Sequence, residues 1–234
     1  MEAGSYTMVQ LRFTIFLDRL SWSTKEMLRL SNLLDGYTAE ARVSEAFPAT
    51  PNPIEWVYVS SDQSSRIVFS SQKVDYITQS EYTDIEGGVA CHASTFQDIV
   101  SKVVSQGSMK ITRLAFSPTL RYDGTAPFYQ SALHKLICEG AHTFEGSAMS
   151  NFEGNILFKK EEEIGQGDVW MNYLTKFFTA IKRATPAEGE RLYPMVTFDI
   201  NTLPSPHRSF TLEELASFLS QAPCFLRHIA QHFL

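Results

Sequence analysis

A chain of 234 residues with 20 Lys and Arg against 26 Asp and Glu, net charge −6, lacks the cationic excess that phosphate-backbone contacts demand, so general nucleic-acid binding is disfavoured. Its 44% hydrophobic content and 17 Phe exclude a disordered chain and supply a sizeable core. No apolar run reaches the roughly 20 residues that cross a bilayer, no basic leader opens the chain, and Cys91, Cys138 and Cys224 form no close-spaced disulfide framework. A cytoplasmic protein with reduced thiols and no membrane partner is the expectation.

Residues 8–17 alternate, with Val9, Leu11, Phe13, Ile15 and Leu17 on one side and Gln10, Arg12 and Thr14 on the other, which predicts a strand. Ser23 and Glu26 form a capping box, and Met27, Leu30, Leu33 and Leu34 recur at helical spacing until Gly36. Pro48, Pro51 and Pro53 make 38–53 read as a long loop. Segments 55–60, 66–70 and 74–78 read as an antiparallel meander with Ser61–Ser65 at a hairpin tip. Phe96, Ile99, Val100, Val103 and Val104 predict a helix over 94–106, stopped by Gly107.

The stretch 110–122 predicts a long strand that Pro118 must bend or confine to an edge. A helix over 126–137 follows, with Pro127 in its first turn, then strands at 141–149 and 153–160. Residues 169–182 fit both a strand and a helical face, and the strand-like segments on either side decide for a strand. Residues 193–201 alternate clearly and end before Pro204 and Pro206. Ser209 or Thr211 caps a helix that carries Leu215, Phe218 and Leu219 up to Pro223, with a second helical set in Phe225, Leu226, Ile229 and Phe233. The expected fold is α+β, a mainly antiparallel curved sheet with helices packed on one side, in the order βαβββαβαβββ(β)α. It is taken as one domain over 1–234, with a division into two lobes near 125 left open.

Ile111-Thr112-Arg113-Leu114 leading a long strand, and Phe198-Asp199-Ile200-Asn201-Thr202 before a C-terminal helix, form a pattern that covers nearly the whole chain. It resembles a sporadically distributed bacterial family of uncharacterised proteins. The resemblance implies a bacterial, non-secreted protein and carries no activity or site residue. Family members show a more regular R-L-G-x-R-Y strand, from which Arg113-Leu114-Ala115-Phe116-Ser117 departs.

Cys224, His228 and His232 recur every four residues and would line one helix face. A structural zinc needs a fourth ligand, for which His207 is the only suggestion, so no metal is assigned and an amphipathic helix rim is the simpler reading. Asp199 and Asn201 share one strand face, a geometry that can hold a cation or polarise a substrate, against the ordinary role of bonding the following turn. Asp84 and Glu86 before Gly87-Gly88 make a carboxylate pair without further support for acid–base work. The glycines lack a phosphate-cradle signature, and Cys91-His92 on a strand would point to opposite faces, the wrong arrangement for a thiol and its base. Lys176, Lys182 and Arg183 against Glu161–Glu163 read as solvated faces that offset each other if strands bring them together.

With no cofactor or catalytic motif, the leading expectation is a non-enzymatic interaction protein, antitoxin- or immunity-like. Another protein would meet a sheet edge or the 38–53 loop. The alternative is a small-ligand protein or enzyme with an aromatic-lined pocket that uses Arg113, Asp199 and Asn201. Local nucleic-acid contact through Lys159, Lys160, Lys176, Lys182 and Arg183 is the third reading, and a homodimer through a sheet edge stays open.

Overall fold

The computed structural model describes residues 6–18, 22–43, 54–105, 109–122, 154–165, 167–183, 190–205 and 208–233. The expected helix over 126–137, the expected strand over 141–149, Cys138 and His207 lie outside these residues. The described strands form one curved, antiparallel, nine-stranded sheet, with helices on one side.

The first half runs β1 (Tyr6–Leu17), α1 (Thr24–Ser31), β2 (Tyr37–Val43), β3 (Ile54–Ser60), β4 (Ser65–Ser70), β5 (Lys73–Thr78) and α2 (Ile85–Val104). The second runs β6 (Ile111–Tyr122), β7 (Gly154–Ile164), β8 (Gly167–Arg183), β9 (Glu190–Thr202) and α3 (Leu212–Phe233). Strand order across the sheet is β2-β3-β4-β5-β1-β6-β9-β8-β7. Reading outward from the centre, β5, β4, β3 follow β1 just as β9, β8, β7 follow β6. Each half closes on a long helix, and α2 packs against α3. The antiparallel pair β1–β6, with Phe13 opposite Phe116, therefore lies on an approximate two-fold axis.

The apolar side of each strand builds the core. Phe13 stacks on Phe96 of α2 at 5.5 Å and on Phe116 at 6.0 Å, while Phe116 meets Phe218 of α3 edge-on at 6.0 Å. All four rings are at most 1% exposed, so each contributes about 2–3 kcal/mol of burial. Gly88 lets α2 start against β1, since a Cβ there would stand 2.9 Å from Met8 Cε.

Several expectations need correction. Residues 38–43, read as part of a loop, belong to β2, because Tyr37–Val43 pair along their length with β3 and that ladder outweighs the prolines further on. Helix α2 begins at Ile85 rather than 94: Asp84 accepts from the Gly87 amide at 3.0 Å as N-cap, and buried Ile85, Gly88, Val89 and Ala93 extend the apolar stripe backwards. Strand β6 is central rather than an edge, and the ladder to β9 skips Ser117 and Pro118, where the proline has no amide to give. The β1–β6 ladder shifts register twice, between Met8 and Gln10 and between Phe16 and Leu17. Helix α3 runs unbroken through Pro223, held by buried Leu219, Ala222, Phe225 and Leu226 on both sides of it. Residues 169–182 lie in a strand, as expected, and Thr211 with Glu214 makes the capping box of α3, at 2.8 and 3.1 Å.

Candidate binding face

Alternation that sends Phe13 and Phe116 to the helices sends Gln10, Arg12, Thr14 and Phe16 of β1, and Arg113, Ala115, Ser117 and Thr119 of β6, to the other side. No described helix packs on that side. It is polar, and at its centre it is tied together by hydrogen bonds between strands.

Arg113, Asp199 and Asn201, the three residues singled out by sequence, meet here. The Arg113 guanidinium donates through Nη2 to Asn201 Oδ1 at 2.5 Å and through Nε to the Thr202 carbonyl at 3.0 Å. It also lies 4.9 Å from the centre of the Phe16 ring. Asn172 of β8 donates to the same Asn201 oxygen at 3.1 Å. The Asn201 amide nitrogen donates to Asp199 Oδ1 at 3.0 Å, and the Ser117 hydroxyl donates to it at 3.4 Å. Burial pulls the Arg113 guanidinium below its ordinary pKa, and the charge of Asp199 works against that shift. Asp199 and Asn201 thus bond across strands rather than into the Thr202–Pro204 turn, and Arg113 occupies the place a cation would take beside them.

Across the axis, Thr14 Oγ1 donates to Asp75 Oδ1 at 2.5 Å, and Lys73 pairs with the same carboxylate at 2.8 Å. Thr14–Asp75 is the counterpart of Ser117–Asp199 under the two-fold. Asp75 is 4% exposed and Asn201 is also 4% exposed, so both sit in the network as buried polar groups with their partners supplied.

The network lies between two unlike ends. At the β7–β8 end, Leu157 faces Leu174 across the ladder and Trp170 follows on the same face of β8. Leu157 is 53% exposed and Trp170 is 51% exposed. At the β3–β5 end a shallow depression is lined by Val57, Val59, Ile77, Ser64, Arg66 and Gln79, among others.

The remaining sequence candidates separate. Cys224 and His228 are exposed on α3, nothing is described of the His232 side chain, and among the described residues no group of three His, Cys, Asp or Glu is placed to hold a metal. Asp84 is a helix cap, and Glu86 holds Arg227 of α3 through Nε at 2.9 Å and through Nη2. Lys176 pairs with Asn155, whereas Glu161–Glu163 pair with residues 168–170, so the basic and acidic sets sit at opposite ends of the ladder and do not offset each other. Lys160 turns instead to Glu162 at 2.9 Å.

Cys91 and His92 lie on α2 rather than a strand. Cys91 is exposed, while the His92 ring is held between the Tyr76 hydroxyl at 2.9 Å and the Tyr82 hydroxyl at 2.7 Å. Burial lowers the pKa of His92 and raises that of Tyr76, so His92 and Tyr76 are neutral near pH 7. The only signal for it in the sequence is the spacing of His92 four residues before Phe96, visible once the helix is known to start at Ile85.

Comparison with known proteins adds no assignment: no family model and no curated protein matches the chain. No described helix is long and apolar enough to cross a membrane.

Proposed function

We propose that this is a non-enzymatic binding protein whose partner is another protein, docked on the helix-free sheet face at its β7–β8 end. The observation that carries the reading is the exposed Trp170 with Leu157 and Leu174 on one face of the sheet. Exposed aromatic and aliphatic anchors rimmed by charge, here Lys159, Glu161 and Lys176, are what protein interfaces use as hot spots. The hydrogen-bonded network beside them on the same face ties the strands together, so little ordering cost falls on association. This moves the contact from the sheet edge and the 38–53 loop, where sequence set it, to the sheet face.

The finer parts of the proposal are a bacterial, cytoplasmic setting and an antitoxin-, immunity- or accessory-type role. In support of the family resemblance, its two motifs fall on neighbouring strands and bond to each other through Arg113 and Asn201. The small-ligand reading finds little at Arg113, whose Nε and Nη2 are engaged by Thr202 and Asn201, and more at the depression beside Arg66.

The test is affinity capture from a lysate of the source organism with the parent and with Trp170→Ala and Leu157→Asp, all shown to be folded. A stoichiometric partner held by the parent and lost by both variants supports the reading. Identical captures overturn it, as does a parent dimer that the variants turn into monomers, because a second copy would then be the occupant.

A further inference from the structure

We infer that Arg12 and Arg66 form an anion-binding site on the helix-free face of the first half, one that takes the phosphate or carboxylate group of a small ligand with an apolar body. The site is independent of the protein-docking reading, being in the other half of the sheet.

Register places the two side chains together. Ile77 of β5 pairs with Arg66 on one flank and with Arg12 on the other, so both arginines and Ile77 stand in one row on one face. Adjacent strands are about 4.8 Å apart, which sets the two arginine backbones about 10 Å from each other, a gap that two such side chains can close on a shared anion. Both are half-buried.

What marks them is their unspent bonding capacity. Among the described residues the other half-buried arginines have acceptors: Arg113 holds Asn201 and the Thr202 carbonyl, Arg121 holds Glu81, and Arg208 holds the Asp168 carbonyl and Glu214. Among the described residues neither the Arg12 nor the Arg66 side chain makes a hydrogen bond or ion pair, and Arg66 Nε is buried with no acceptor. A guanidinium withdrawn from water keeps its charge and loses stabilisation unless an acceptor is supplied, and its planar fork suits a carboxylate or phosphate best.

The surroundings leave that place to a ligand. The carboxylate on this face nearest in register is Asp75, already engaged by Thr14 and Lys73. Asp62, in the neighbouring turn, accepts from Ser60 and Ser64 and is pulled down to a pKa of about 2 by those bonds. Val57, Val59 and Ile77 give the depression an apolar floor for the body of the ligand. Gln63, which also lines it, holds φ at 59°, a left-handed conformation uncommon for a residue other than glycine and frequent at functional turns.

Isothermal titration with inorganic phosphate, phenyl phosphate and benzoate tests this on the full chain, beside Arg12→Gln, Arg66→Gln, the double variant and Arg29→Gln on the far side of the sheet as control. The expected result is saturable binding to the parent and the control, about tenfold tighter for phenyl phosphate than for inorganic phosphate because its ring covers Ile77. Each single variant should weaken binding about tenfold, and the double variant should abolish it. Binding of phenyl phosphate without benzoate, or the reverse, supports the site and fixes the headgroup. No saturable binding of any probe overturns it, as does equal affinity in the parent and a double variant whose urea midpoint shows it folded.

Discussion

In the first half of the sheet two arginines stand without acceptors, whereas in the second Arg113 is held by Asn201, by the Thr202 carbonyl and over the Phe16 ring. The halves share a strand order and a closing helix, and both place a hydroxyl–carboxylate pair beside the axis, Thr14–Asp75 and Ser117–Asp199. One architecture therefore carries two uses of charge. In the second half the cation is spent on fastening strands beside an apolar patch, and in the first it is left available.

The sharpest way to break the comparison is at the axis. Phe13→Ala and Phe116→Ala each remove a fully buried ring and should each cost about 3–5 kcal/mol in urea unfolding followed by circular dichroism. A single transition with both variants similarly destabilised fits one cooperative sheet. Two transitions, each sensitive to only one variant, would mean the halves unfold separately.

Next come the carboxylates. Asp75→Ala leaves the buried Thr14 hydroxyl without its acceptor, while the partly exposed Lys73 turns to water, and should cost about 2–3 kcal/mol. Asp199→Ala gives up a longer bond to Ser117 and should cost about 1 kcal/mol. Equal losses would contradict the difference in geometry. A double-mutant cycle on Arg113→Ala and Asn201→Ala should then return a coupling of about 1–2 kcal/mol.

A smaller effect tests the first half alone. His92 has its pKa lowered by burial from an ordinary 6.5, so the unfolded chain takes up the proton first as pH falls. Stability from this group is full above the unfolded value, declines as pH drops below about 6.5, and levels off beneath the folded value. In His92→Gln the slope of the urea midpoint between pH 7 and pH 5 should flatten; an unchanged slope would clear His92 of the effect. The smallest change belongs to Trp170→Ala, which should move stability by no more than about 0.5 kcal/mol while removing the docking anchor.

Much of the architecture was legible in the residues because it depends on local periodicity. The alternation in 8–17 and 193–201, the Ser23–Glu26 box and the Ser61–Ser65 tip all correspond to elements of the structure. Where the readings missed, a distant partner outweighed a local signal. Pro118 sits in a central strand because its ladder to β9 opens there, and Pro223 sits in a helix whose buried stripe continues on both sides. The site divides the same way. Asp199 and Asn201 share a strand face by simple alternation, and Arg113 was singled out with them, but only register shows their bonds. Arg12 was visible on the polar side of β1, while its alignment with Arg66 depends on how β4, β5 and β1 are ordered in the sheet, which no local pattern encodes.

The measurement that bears most directly on the sheet face as the docking surface is photo-crosslinking in the source cells, with a benzophenone side chain placed at Trp170 or Leu157 on that face, or at Ser94 or Gln97 on the exposed side of α2. The account predicts a discrete protein adduct from the two sheet positions and none from the two helix positions. Adducts from the helix alone would contradict it and move the interface to the opposite side of the molecule.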